Sequence, residues 1–258
     1  MILPPFSGTI IHNILSGINR IQLASHNILT MAIIHPYTSG EIRAKAMTER
    51  RYIKLYESGE LARRAGSLLE RLYDCDICPR QCHVNRIEDE KGFCRSGQLL
   101  SISSFCDHHG EEPALSGTRG SGTIFFSNCN LRCKYCQNHQ ISQGADSGFE
   151  TVSSSELAAI MLHLQNDLHC HNINLVSPSH YVPQILAALC QAIPGGLHIP
   201  LIYNTNGYDA LATLEMLDGV IDIYLPDIKY ASNLPAGEFS SCSNYVEYSR
   251  QAMFPFFK

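Results

Sequence analysis

Cys129, Cys133 and Cys136 close the segment Gly122-Thr-Ile-Phe-Phe-Ser-Asn-Cys-Asn-Leu-Arg-Cys-Lys-Tyr-Cys-Gln-Asn at CxxxCxxC spacing. Thiolates hold iron–sulfur clusters, and a fully coordinated [4Fe–4S] cluster takes four of them. Three close cysteines with no fourth beside them leave one iron open. An open position on a metal centre is where a substrate or cofactor binds. The same thiols also allow half of a zinc site, or plain buried thiols. The apolar, strand-like run ahead of Cys129 favours the cluster. Ligation would deprotonate all three cysteines. Arg132 and Lys134, between them, either offset that charge or stand in solvent. Asn138 and His139 either line the cluster's surroundings or cap the next helix.

A second set reads Cys75-x2-Cys78-x3-Cys82-x11-Cys94, with Pro79, Arg80 and Gly92 to turn the chain. This spacing predicts a metal knuckle. Zinc would be tetrahedral and structural; a second iron–sulfur cluster is the other candidate. Compact reduced thiols are the third. The reading leans to zinc or a structural role, because nothing nearby looks catalytic. Eleven cysteines in 258 residues do not fit a small disulfide scaffold, and their ligand-like spacing points to a reducing, cytoplasmic setting. Cys106, Cys190 and Cys242 read as ordinary thiols.

The elements that must position these residues follow a repeating pattern. Apolar β-type runs occur at Thr123–Phe126, Ile173–Val176, Leu201–Tyr203 and Val220–Leu225. Helical patterns separate them. Ser153-Ser-Ser-Glu156 forms a capping box that opens a helix at Leu157–Leu168. Further helices are expected at about Val182–Ala192, stopped by Pro194-Gly-Gly, and at about Tyr208–Leu217, stopped by Gly219. Strand alternating with helix gives βαβ units and a parallel sheet, with every strand's C-terminal end on one side. Those ends are polar: Ser127 and Asn128; Ser177, Ser179 and His180; Asn204, Thr205 and Asn206; Asp227 and Lys229. That is the face where α/β barrels place their chemistry. Upstream, Leu55, Leu61, Ala65, Leu68, Leu69 and Leu72 give a helical stripe over Thr48–Leu72, with Ser58-Gly59 as a break. Residues 99–121 read as a Gly-rich connector with a short strand at Leu99–Ser103.

The cysteine loop, with Tyr135 before its third cysteine, resembles the radical S-adenosylmethionine (SAM) superfamily. The segments His108-His-Gly-Glu-Glu-Pro, Leu115-Ser-Gly-Thr-Arg-Gly-Ser-Gly-Thr-Ile-Phe-Phe-Ser-Asn-Cys and Cys136-Gln-Asn-His-Gln-Ile-Ser resemble uncharacterised iron–sulfur proteins related to pyruvate formate-lyase activating enzyme. The resemblance runs from about Tyr52 to about Ser232. It implies a partial (β/α) barrel of radical SAM type, preceded by a helical and Cys-rich N-terminal region. The pattern supplies only about four clear strands, so the barrel reads as truncated, with an exposed edge. The implied division is an extension at 1–47, a helix plus Cys-rich metal-binding loop at 48–118, and the partial barrel at 119–258.

The resemblance also implies the chemistry. The open iron of a [4Fe–4S] cluster at Cys129, Cys133 and Cys136 binds SAM. An electron from a donor such as flavodoxin or ferredoxin then cleaves SAM to methionine and a 5′-deoxyadenosyl radical, which abstracts hydrogen. The substrate is unknown; the activating-enzyme likeness suggests a protein glycine. In the family a Gly-Gly-Glu motif after the second strand meets SAM. Here that place reads Ser177-Pro178-Ser179-His180, with Ser179 or backbone carbonyls as substitutes. Asn204-Thr205-Asn206-Gly207 resembles an Asp-Thr-Asn-Gly segment, with Asn204 replacing the acid. Asp227-Ile228-Lys229 resembles an Asp-Leu-Lys segment, which places Lys229 at the SAM carboxylate and Asp227 at a cation. Ser179, Asn204, Asn206, Asp227 and Lys229 are thus the implied cofactor contacts; no catalytic residue is assigned. The competing reading is a non-catalytic zinc or iron–sulfur protein, or an inactive fragment.

His108-His109-Gly110-Glu111-Glu112 reads as a metal- or substrate-meeting loop, or as a polar rim. His169-Cys170-His171 reads as structural. Gly117–Gly122 lacks the Gly-Lys-Ser/Thr of a phosphate loop and serves to turn the chain. The net charge of −5, with no long Lys/Arg run, offers nothing to nucleic acid or to an anionic membrane. No apolar run reaches the roughly 18 residues of a membrane span. Residues 1–45 carry breakers at Pro4, Pro5, Pro36 and Gly40, and weak helix at best is expected there.

Overall fold

A computed structural model describes residues 50–144 and 149–253. The expected N-terminal extension lies outside the described residues. Helices α1 (Arg51–Glu57) and α2 (Glu60–Glu70) come first. They are separated at Gly59, whose φ of 78° is left-handed and suits glycine. The buried stripe of α2 is Leu61, Ala65 and Leu68. A cysteine-bearing loop with one 3₁₀ turn (Arg86–Glu88) follows. Then come β1 (Leu100–His108), α3 (Pro113–Ser116), β2 (Ser121–Phe126), α4 (His139–Gln143) and β3 (Glu150–Val152). The repeat proper is α5 (Ser154–Asn166), β4 (Ile173–Val176), α6 (Val182–Ala192), β5 (Leu201–Thr205), α7 (Leu211–Met216) and β6 (Ile223–Pro226). Helices α8 (Asn233–Ser240) and α9 (Tyr245–Met253) end the described chain.

The fold is α/β, around one six-stranded mixed sheet in the order β3-β1-β2-β4-β5-β6. The four expected strands are the parallel half, β2-β4-β5-β6. Strands β1 and β3 extend it antiparallel. Among the described residues the sheet is open, with edges at β3 and β6. Strand β1 is longer than the short strand expected from the sequence, because its residues Ser104 to His108 still find partners on β2 beyond an irregularity at Ser103. The Ser153/Glu156 capping box is present at α5. Helix α7 begins later than expected, at Leu211, since Asp209 turns its side chain to Tyr203 and Thr205 instead.

Register decides what each face does. Ile124, Leu175, Tyr203 and Tyr224 lie in one row across the parallel strands and face a core closed by α2, α5 and α6. That burial is the main stabilising term. The opposite face carries two other rows: Thr123, Asn174, Ile202 and Ile223, then Phe125, Val176, Asn204 and Leu225. Only a small apolar patch, with Leu115 of α3 over Ile202 and Leu225, covers part of it. A face bearing buried Asn174 and half-buried Asn204 is built for polar contents.

Candidate metal centre and cofactor rim

Strand β2 delivers Ser127 and Asn128 to the sheet's C-terminal rim, and the three cysteines follow. Asn128 (φ 71°) and Arg132 (φ 53°) take left-handed conformations that fold the loop back on itself. Cys129 and Cys133 are buried, and Cys136 is half-buried. Each loop segment is pinned. The Asn128 amide donates to the Ile141 carbonyl at 2.8 Å, and the Lys134 amide to Phe239 at 2.8 Å. Gln143 Nε2 donates to the Cys133 carbonyl at 2.7 Å.

Two of the sulfurs meet donors. The Leu131 amide and Asn206 Nδ2 approach Cys129 Sγ at 3.3 and 3.4 Å, and Ser142 Oγ donates to Cys136 Sγ at 3.3 Å. Burial pushes the Cys129 thiol up, while amides of Arg132 and Leu131 pull it back. A buried thiol ringed by donors is poorly served as a neutral group; a metal-bound thiolate uses all of them. The donor set therefore fits an iron–sulfur cluster. Among the described residues, no three Cys, His, Asp or Glu side chains gather closely enough for a single metal ion.

The expected cofactor contacts divide into three groups. Asn206 reaches the centre directly, bonding Cys129 Sγ and Asn130 Oδ1. Asn204 lies on the open sheet face, in register with Val176 and Leu225. Asp227 and Lys229 pair with each other at the end of β6. Ser179 is different: it is buried and meets Thr205 Oγ1 at 3.2 Å, within a network that ends on Asp209.

Several site-forming residues carried no motif. Tyr245 of α9 donates to the Asn206 carbonyl and accepts from the Lys229 amide, both at 2.8 Å. It thereby ties the ends of β5 and β6 together. With Tyr208 and Tyr230 it packs beside Cys129 and Cys133 as an aromatic wall. The C-terminal stretch forms two helices, and α9 supplies Tyr245 to this wall. On the open face, Asn174 Nδ2 donates to Glu111 at 3.0 Å, while Asn174 Oδ1 is buried without a partner. Burial, then Glu112, raises the Glu111 carboxyl above its ordinary range. His108 stacks edge-on against Phe125. The His108–Glu112 segment thus borders the open face. His169 and His171 stand apart from both cysteine sets, with His171 against Arg119.

The second cysteine set also converges. Cys75, Cys78, Cys82 and Cys94 line one small cavity with Arg86 and His180. Arg80, between Cys78 and Cys82, donates to the carbonyls of Asn130 (2.9 Å), Leu131 (3.4 Å), Ser240 (2.8 Å) and Ser241 (2.5 Å). It lies 3.6 Å over the Phe93 ring. Arg132 returns the contact by donating to the Phe93 carbonyl at 3.2 Å. The two cysteine loops are therefore clasped together.

Compared with known proteins, the chain is 33% identical over 181 residues to an uncharacterized protein of Methanocaldococcus jannaschii, a match covering 67% of this chain and 51% of that protein. The chain spans about half the length of this curated relative. No family model matches it, and no solved structure does. No helix among the described residues is long and apolar enough to cross a membrane.

Proposed function

We propose that this chain is a radical SAM enzyme of the activating-enzyme type, built on a partial barrel whose lumen is the open sheet face. One observation carries the reading. Three thiols at CxxxCxxC spacing stand on one pinned loop at the C-terminal rim of a parallel sheet, each side of the loop supplied with donors to sulfur. Cys129, Cys133 and Cys136 would hold a [4Fe–4S] cluster. When bound, the cluster supplies the electron that cleaves SAM reductively to methionine and a 5′-deoxyadenosyl radical, itself replenished by a low-potential one-electron donor such as flavodoxin or ferredoxin.

The chain's own residues do the rest. Asn206 orients Cys129. Lys229, paired with Asp227, would meet the SAM carboxylate as a charge-assisted contact, and Asn204 faces the lumen. The tyrosine wall excludes water from one side of the loop. Glu111, His108 and Asn174 border the lumen where a hydrogen donor, a protein glycine or a small molecule, would lie. Lys229→Ala is expected to raise the Kd for SAM about tenfold, roughly 1.4 kcal/mol, with iron content unchanged.

A second reading, a metal-binding protein without SAM chemistry, is favoured by Ser179, which stands where the family's SAM-binding motif would be and is bonded into the core. Electron paramagnetic resonance of the anaerobically reduced protein separates the two. SAM at the open iron changes the signal. A signal identical with and without SAM supports the second reading and overturns the first.

A further inference from the structure

We propose that Asn206 and Ser142 set the reduction potential of the cluster read at Cys129, Cys133 and Cys136, by donating hydrogen bonds to two of its thiolates. The inference rests on that cluster reading and not on SAM cleavage. The family likeness implies that Asn206 meets SAM; its hydrogen bonds turn its donor to sulfur instead. A closed ring of bonds fixes the amide. Asn206 Oδ1 accepts from the Tyr208 amide at 3.0 Å. Asn206 Nδ2 donates to Asn130 Oδ1 at 2.9 Å, and Asn130 Nδ2 donates to the Tyr208 carbonyl at 2.7 Å. Each side-chain amide is thus tied to one backbone group of Tyr208, and exchanging O for N in either would oppose two donors or two acceptors. One hydrogen of Asn206 Nδ2 is used on Asn130. The other is left for Cys129 Sγ, 3.4 Å away. The backbone is held as well. Gly207, at φ 75°, turns the chain just after β5. A Cβ there would stand 3.1 Å from the Tyr245 hydroxyl, which donates to the Asn206 carbonyl at 2.8 Å.

Ser142 reaches a second sulfur from another element. It is buried on α4, its amide is taken by the Asn138 carbonyl at 3.0 Å, and its hydroxyl donates to Cys136 Sγ at 3.3 Å. Two donors from distant parts of the chain therefore converge on one cysteine loop. A cluster gains one negative charge on reduction, and its thiolate sulfurs carry part of it. Hydrogen bonds to those sulfurs stabilise the reduced form more than the oxidised form, which raises the potential. Burial strengthens each bond, because little water competes for the sulfur. Asn206 and Ser142 act through the ligands, so both are positioning residues.

The test is a potentiometric titration of the anaerobically reconstituted full chain, followed by electron paramagnetic resonance of the reduced cluster. Asn206→Asp and Ser142→Ala are each expected to retain iron and to move the reduced-to-oxidised ratio about tenfold toward the oxidised form, a fall of about 59 mV for one electron. Ser142→Thr keeps the hydroxyl and should keep the wild-type potential. The Ser142 pair stands clear of the amide ring, so it decides the matter even if Asn206→Asp fails to fold. Iron-loaded Ser142→Ala with the wild-type potential would overturn the assignment and leave the cluster reading intact. A wild-type chain that binds no iron would overturn both. Shifted potentials in a chain whose signal ignores SAM would support this assignment and count against the proposed function only.

Discussion

Asp209 shows how much of the rim is held by groups with no role in chemistry. It is buried and accepts from Tyr203 at 2.9 Å and Thr205 at 2.5 Å. Burial raises its carboxyl above the ordinary range, against those hydrogen bonds. The folded chain therefore holds this proton more tightly than the unfolded chain does. Its contribution is full below the unfolded carboxylate pKa and is lost as pH rises through the folded one. Asp209→Asn is expected to remove that part of the decline; urea midpoints across mildly acidic pH, for both chains, measure it. The cysteines were legible in sequence because their spacing is local. Asn206 was visible as a polar strand end, and a family likeness gave it a role. Glu111 stood in a segment the sequence singled out, but Tyr245 and Asn174 matter by where the fold brings them, and no local signal marks a tyrosine that will meet strands far back in the chain.

At the scale of elements, the rim is assembled by clasps. Arg80 is expected to be worth about 2–4 kcal/mol, since Ala would leave several partly buried carbonyls unmatched. Lys cannot restore the planar fork. Chemical denaturation of Arg80→Ala and Arg80→Lys checks this, and near-wild-type stability in either would contradict it. Tyr245→Phe keeps the ring and deletes two hydrogen bonds at once, an expected cost of about 1–2 kcal/mol. Helices α2, α5 and α6 and the four parallel strands announced themselves by periodicity and capping. Strand β3 did not: three residues, two of them exposed, leave no pattern, and only pairing with β1 makes them a strand. The β1 segment looked like a connector because its alternation is broken by an irregularity between Ile102 and Ser104.

At the scale of the whole molecule, one core runs from Tyr52 through the strands to Ala252. Tyr52 donates to the Ile199 carbonyl at 2.9 Å, and Arg50 pairs with Asp222 at 3.3 Å. The N-terminal helices thus pack into the same core as the sheet. Leu68→Ala is expected to cost about 2–5 kcal/mol and to lower one cooperative transition rather than detach a first phase; a biphasic melt would contradict that continuity. The α/β class and the polar strand ends were plain from alternation. The antiparallel half was not, because mixed direction is decided by pairing rather than by any residue type.

The central claim is that the loop of Cys129, Cys133 and Cys136 supports reductive cleavage of SAM. Anaerobically reconstituted protein, given SAM and a strong reductant, should release 5′-deoxyadenosine, and Cys129→Ala should release none. Iron-loaded wild-type protein that forms no 5′-deoxyadenosine, indistinguishable from Cys129→Ala, would contradict the account.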